Sequence, residues 1–320
     1  MNQPAPSLLL VNLGTPEAAT PAAVRTFLAE FLGDPEVVDL PRLVWLPILH
    51  GFVLRTRPKR VAHQYAAIWS VAGSPLRVGT EAITSGVAAL APALSVHCAY
   101  RYGAPSIDTM IRRLAAESPG PIVVVPLFPQ RTDATTGTVF RLAQRVAARA
   151  GIAARLIERA IPADAPGYIA ALAARWREAL AISSIAPDHL VMSYHGLPVR
   201  YDNREGRVYT GDCERTTAAF LAAVGWSRER TTVAYQSKFG SEPWLTPSTA
   251  DVLAALPGRG VRRVAVIAPG FVTEGLETLE ELDIRARETF LRAGGDAFTY
   301  VGAVGDHPAF AQSLLDLTLD

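Results

Sequence analysis

At 320 residues, 49% of them apolar, the chain has enough core-forming material for two domains of ordinary size. Its 31 basic and 30 acidic residues leave a formal charge of +1, which excludes the strongly basic surface of a nucleic-acid binder and an acidic tail. Cys98 and Cys213, far apart and without a CxxC spacing, exclude a disulfide framework, a thiolate zinc site and a Cys-ligated iron–sulfur cluster, and they fit a reducing cytoplasm.

In chain order, the first residues carry neither a basic n-region nor a long apolar h-region. Residues 8–13 (LLLVNL) predict a buried strand, and Gly14-Thr15-Pro16 a tight turn. Thr20-Pro21 opens a helix over 22–32, closed by Gly33-Asp34-Pro35. The run from Leu43 to Leu54 is apolar but interrupted by Pro47, His50 and Gly51, too short and broken to span a bilayer. The basic group Arg55, Arg57, Lys59 and Arg60 follows it. The pattern then predicts helices over 61–69 and 78–91, a strand over 95–102, a helix over 106–117, a buried strand over 121–127 and a helix over 138–149.

The alternation repeats in the second half. Strands are expected over 153–157, 190–192, 231–235, 263–268 and 297–301. Helices are expected over 166–181, 213–224, 249–256 and 274–293, with a last one from Pro308. A polar loop is expected over 200–211. Strand–helix alternation of this kind predicts an α/β fold: two similar Rossmann-like domains, each a parallel sheet flanked by helices, with a cleft between. The expected division is 1–155 and 156–301, with the helix in 302–320 packing back on the first domain.

Two stretches carry chemistry. Leu190-Val191-Met192-Ser193-Tyr194-His195-Gly196-Leu197-Pro198 places one imidazole where a buried strand ends, the end at which open α/β sheets bind ligands. Neutral imidazole is a metal ligand and a base near neutral pH; the competing reading is a loop histidine satisfied by a backbone carbonyl. The second stretch, Pro269-Gly270-Phe271-Val272-Thr273-Glu274-Gly275-Leu276-Glu277-Thr278-Leu279-Glu280-Glu281, runs from a strand into a helix. At α-helical spacing Glu274, Glu277 and Glu281 share one face. Acidic residues also suit a helix amino terminus for dipole reasons alone. Facing His195, such carboxylates would hold a metal or move protons. No GxGxxG, GxxxxGK[ST] or GxSxG is present.

Taken together the residues resemble the ferrochelatase family. Ser193-Tyr194-His195-Gly196-Leu197-Pro198 is similar to its histidine motif, and Leu276-Glu277-Thr278-Leu279-Glu280-Glu281 to its glutamate motif. Gln236 to Leu245, Asn12 to Pro16, Gly73 to Leu76 and Arg101-Tyr102 fit further segments in order along nearly the whole chain.

The resemblance implies a lyase that inserts ferrous iron into protoporphyrin IX to form protoheme. Coproporphyrin, another tetrapyrrole–metal pair, and a non-catalytic porphyrin carrier are the alternatives. It implies His195 and Glu277 as catalytic and metal-contacting residues, and Leu13, Arg101, Tyr102 and Trp244 as porphyrin-binding. Glu274 and Glu281 would form a proton or metal path. Porphyrin and ferrous iron are then the partners and iron is a substrate. No permanently bound cofactor and no iron–sulfur cluster are expected. A cytoplasmic monomer is expected, with the run from Leu43 to Leu54 as a cleft lip and a candidate for peripheral membrane contact. Gly275, Arg131 and Arg285 depart from residues common in the family.

Overall fold

In the computed structural model, which describes residues 5–183 and 185–319, the chain divides into two compact units. One holds the residues up to Phe128, then Asp133–Ile161 and the residues from Leu314 on; the other holds Pro129–Thr132 and Pro162–Ser313.

The first unit is built on strands β1 (Ser7–Asn12), β2 (Ser95–Tyr100), β3 (Ile122–Pro126) and β4 (Leu156–Glu158), all parallel, in the order β2-β1-β3-β4. The inner strands β1 and β3 are buried along their whole length, the pattern of parallel strands covered on both faces. Helix Ile107–Glu117 shows why the sequence folds this way. Ile107, Met110, Ile111 and Leu114 recur at helical spacing and pack on Leu9, Val11, Ile122 and Val124. The Ser106 hydroxyl caps its first turn by accepting from the Thr109 N–H at 3.2 Å. Where β1 ends, Gly14 has φ +112°, and a Cβ there would lie 1.8 Å from the Tyr102 carbonyl oxygen. Only glycine lets these two backbones meet.

The second unit repeats the plan with β5 (His189–His195), β6 (Thr231–Gln236), β7 (Arg263–Ile267) and β8 (Ala297–Val301), parallel in the order β6-β5-β7-β8. Its core joins Val191, Val264 and Val266 of the sheet to Leu253, Leu282, Ala286 and Phe290 of the covering helices. Both sheets and their flanking helices match the fold class read from the sequence.

Two segments differ from the sequence expectation, and a third is one for which the sequence predicts no element. The polar stretch 200–211 is not a loop: helix Val199–Arg204 and the start of helix Val208–Val224 occupy it. Buried Asp202 organises the junction, accepting from the Thr210 N–H at 3.2 Å and its hydroxyl at 2.9 Å. A charged composition conceals that cap. The single helix expected over 274–293 is a π-helix, Leu276–Ala286, running into α-helix Arg287–Arg292. The apolar run near residue 50 is helical too: Arg42–Ile48, a π turn at Leu49–Val53 and then helix Leu54–Ile68, with Pro47 and Pro58 inside. Trp45 is buried, its indole N–H donating to the Leu32 carbonyl at 2.6 Å, while Leu43 and Phe52 are 93% and 67% exposed. Among the described residues no helix is long and apolar enough to cross a membrane.

Candidate active site

His195 is the last residue of β5, and its neighbour in register is Gln236, the last residue of β6. The imidazole is exposed but fixed. Its Nδ1 lies 2.7 Å from the Gly196 carbonyl oxygen. A carbonyl only accepts, so Nδ1 carries the proton and the neutral ring keeps its lone pair on Nε2. The Tyr209 hydroxyl donates to the His195 carbonyl at 2.7 Å, and the Phe271 ring lies 6.2 Å from the imidazole. Gly196 makes room for the next contact: a Cβ there would sit 2.5 Å from the Gln236 carbonyl oxygen and 3.0 Å from the Trp244 ring. Trp244 bridges to Pro198 across this gap, and its indole nitrogen is buried without a hydrogen-bond partner.

Glu277 reaches the same rim from the neighbouring strand. β7 lies beside β5, and after it Pro269-Gly270-Phe271 turns toward the π-helix, of which Glu277 is the second residue. Burial pushes the Glu277 carboxyl above its ordinary value. The nearby charge of His195 is the largest influence the other way, and Glu281 and Glu280 push it further up. The structure therefore brings His195 and Glu277 together at the carboxyl ends of adjacent parallel strands. Among the described residues no cluster of three or more His, Cys, Asp and Glu side chains could hold a metal ion.

The other acids of the segment are already engaged. Glu274 lies before the π-helix and accepts from the Tyr300 hydroxyl at 2.9 Å and the Ala303 N–H at 2.8 Å. Glu281 accepts from the Ser237 N–H at 2.9 Å and from its hydroxyl. Glu280 is 6% exposed, although α-helical spacing turns it away from the Glu277 face, and both its oxygens lie 2.9 Å from Arg285 Nε. The five-residue separation of that pair fits the i→i+5 geometry of a π-helix.

Leu13, Arg101 and Tyr102 belong to the first unit. The Tyr102 N–H donates to the Leu13 carbonyl at 2.9 Å, so the three share one turn beyond the ends of β1 and β2. Tyr102 is 1% exposed, its ring set edge-on to Phe31. The Arg101 guanidinium pairs with Asp34 and donates to the Thr138 hydroxyl at 2.9 Å. Sequence reasoning did not single out Asp34, Tyr209 or Asp202. Their partners lie far along the chain or in the backbone, and no local spacing announces them.

Comparison with known proteins shows the family. The family model described as Ferrochelatase matches residues 6–320. A ferrochelatase of Pectobacterium atrosepticum is 43% identical over 317 residues, covering 96% of this chain and 96% of its own length. One of Edwardsiella ictaluri is 44% identical over 309 residues, covering 93% and 92%. Among solved structures, SirB from Bacillus subtilis with Fe3+ superposes with a TM-score of 0.55 at 13% identity, over 98% of this chain and 93% of that one. CbiX, the terminal enzyme for biosynthesis of siroheme in denitrifying bacteria, gives 0.54 at 17% identity, over 97% of both chains. At such identities the structural likeness speaks for the fold, that of the two-domain chelatases. The sequence matches run almost from end to end and include both the His195 and the Glu277 segments, and by them the chain belongs to the ferrochelatase family.

Proposed function

We propose that the chain is a lyase that inserts ferrous iron into protoporphyrin IX, giving protoheme and two protons. The observation that carries this reading is the His195–Glu277 pair. Insertion needs acceptors for two pyrrole protons and donors that hold the metal only briefly. His195 offers Nε2, aimed by the Nδ1 contact to Gly196. Glu277 offers a carboxylate whose proton affinity is raised by burial, and a more basic carboxylate is the better proton acceptor. Leu13 and Trp244, both partly exposed, supply apolar surface for the flat macrocycle. Arg101 and Tyr102 hold the turn that presents Leu13. Glu281 and Glu274 frame the route by which protons leave, and the negative field of Glu281 on Glu277 supports its part in it. Iron enters and leaves as substrate and product.

The test is anaerobic incubation with Fe2+ and porphyrin, followed by the porphyrin absorbance. Protoporphyrin is consumed with metal dependence and faster than coproporphyrin. His195→Ala lowers turnover about 10²–10⁴-fold with the fold intact, since an exposed imidazole at a strand end contributes little packing. A His195→Ala protein that works at the parent's rate sinks the reading, and preferential consumption of coproporphyrin moves the substrate.

The same reading has the chain working as a cytoplasmic monomer that touches a membrane surface through Leu43, Val44, Ile48 and Phe52, all exposed, beside exposed Arg55, Lys59 and Arg60. A contiguous exposed apolar patch marks an interaction surface. Basic neighbours favour an anionic lipid surface as its partner.

A further inference from the structure

The structure assigns Gln236 as a positioning residue that holds His195 and Glu277 in one geometry. This rests on the function proposed for that pair. Gln236 is 3% exposed and meets a different part of the site with each of its polar groups. Its backbone carbonyl accepts from the Gly196 N–H at 2.7 Å, which fixes the peptide just after His195. Its side-chain Nε2 donates to the Glu277 carbonyl at 2.7 Å. Its Oε1 accepts from the buried Ser193 hydroxyl at 2.6 Å, and that hydroxyl lies 2.8 Å from the Thr249 hydroxyl.

These bonds leave the amide one orientation. The Glu277 carbonyl can only accept, so it must face the NH2 group, and Ser193 then donates into the oxygen. A glutamine in this environment couples two strand ends and a helix through one rigid plane. The residue after it strengthens the hold. Ser237 has φ +63°, rare for a side chain other than glycine, and a conformation that persists only where the surroundings over-determine it. They do so here through the two bonds from Ser237 to Glu281. Residues 236 and 237 therefore grip the π-helix at two points one helical turn apart, the Glu277 backbone and the Glu281 carboxylate. Neither glutamine nor serine need touch the porphyrin or the metal for this.

Misplacing a reacting group by about 1 Å can cost about 10²-fold in rate. The test is Gln236→Met, which keeps length and apolar volume but removes the amide, with turnover and porphyrin KM measured separately on the intact protein. The expected result is a fall in kcat of about 10- to 100-fold with KM unchanged, because the macrocycle surface is untouched while the pair loses its register. Should Gln236→Met fail to fold, Gln236→Asn keeps an amide that is one methylene too short for Glu277, and the same split is expected. A kcat equal to the parent's, or a change confined to KM, overturns the assignment. His195→Ala is assayed alongside. If it abolishes turnover while Gln236→Met does not, positioning by Gln236 fails alone. If His195→Ala keeps the parent's rate, the proposed function fails and the assignment goes with it.

Discussion

Glu277 is a half-buried carboxylate whose proton affinity the fold raises, and that has a consequence for stability as well as for chemistry. Its proton affinity in the fold lies above the ordinary carboxylate value of 4.5. A group with a raised folded pKa contributes stability that is fully present below its unfolded pKa and is lost as pH rises through the folded one. Glu277→Gln removes the ionising group. The variant should therefore match the parent near pH 4 and melt at a higher temperature than the parent at pH 8, while turning over far more slowly. Thermal midpoints across that range check the sign; a variant less stable than the parent at pH 8 contradicts the buried-carboxylate picture. His195 was legible in the sequence because Gly196 and Pro198 stop its strand on the spot. The tautomer was not, since it depends on a carbonyl contact that only the folded turn creates.

At the scale of elements, the π-helix Leu276–Ala286 changes which acids are available. Its widened spacing buries Glu280 against Arg285, a pairing invisible to α-helical reading. Glu280→Gln should leave turnover little changed and cost about 1 kcal/mol of stability, a figure kept small because Arg285 is half exposed. Urea unfolding beside the iron-insertion assay separates the two effects. The helical segment around residue 50 is the other element with a testable consequence. The sequence showed an apolar run and a basic one, yet the fold sorts its members: Trp45 turns inward and Leu43 and Phe52 outward. Replacing Leu43 and Phe52 by Ser should abolish sedimentation with vesicles containing anionic lipid and leave the thermal midpoint unchanged. Equal sedimentation of variant and parent would remove the membrane from the reading.

For the whole molecule, the strand–helix alternation sufficed to foresee two parallel sheets, because strands buried on both faces leave continuous apolar runs such as 121–127 and 263–268. Ion pairs such as Arg101–Asp34 were not foreseeable, because their residues meet only after the chain has closed over a 67-residue separation. The cysteine content bears on the molecule as a whole. Cys98 and Cys213 both carry free thiols, and Cys213 is buried. Anaerobically purified protein should contain no stoichiometric acid-labile sulfide, and finding it would require cluster ligands of another kind.

The repeated strand order gives His195 a counterpart. β1 stands in its sheet as β5 does in the other, and β1 ends at Asn12. There the amide donates to the Thr80 hydroxyl at 2.9 Å and accepts from the Leu13 N–H at 2.8 Å, almost wholly shielded from solvent. One frame, used twice, thus ends once in a buried amide bonded on both sides and once in an exposed imidazole, the group the proposed function puts to work. Under the proposed function the two ends answer to different measurements: a change at residue 12 should show in the thermal midpoint, and a change at residue 195 in turnover.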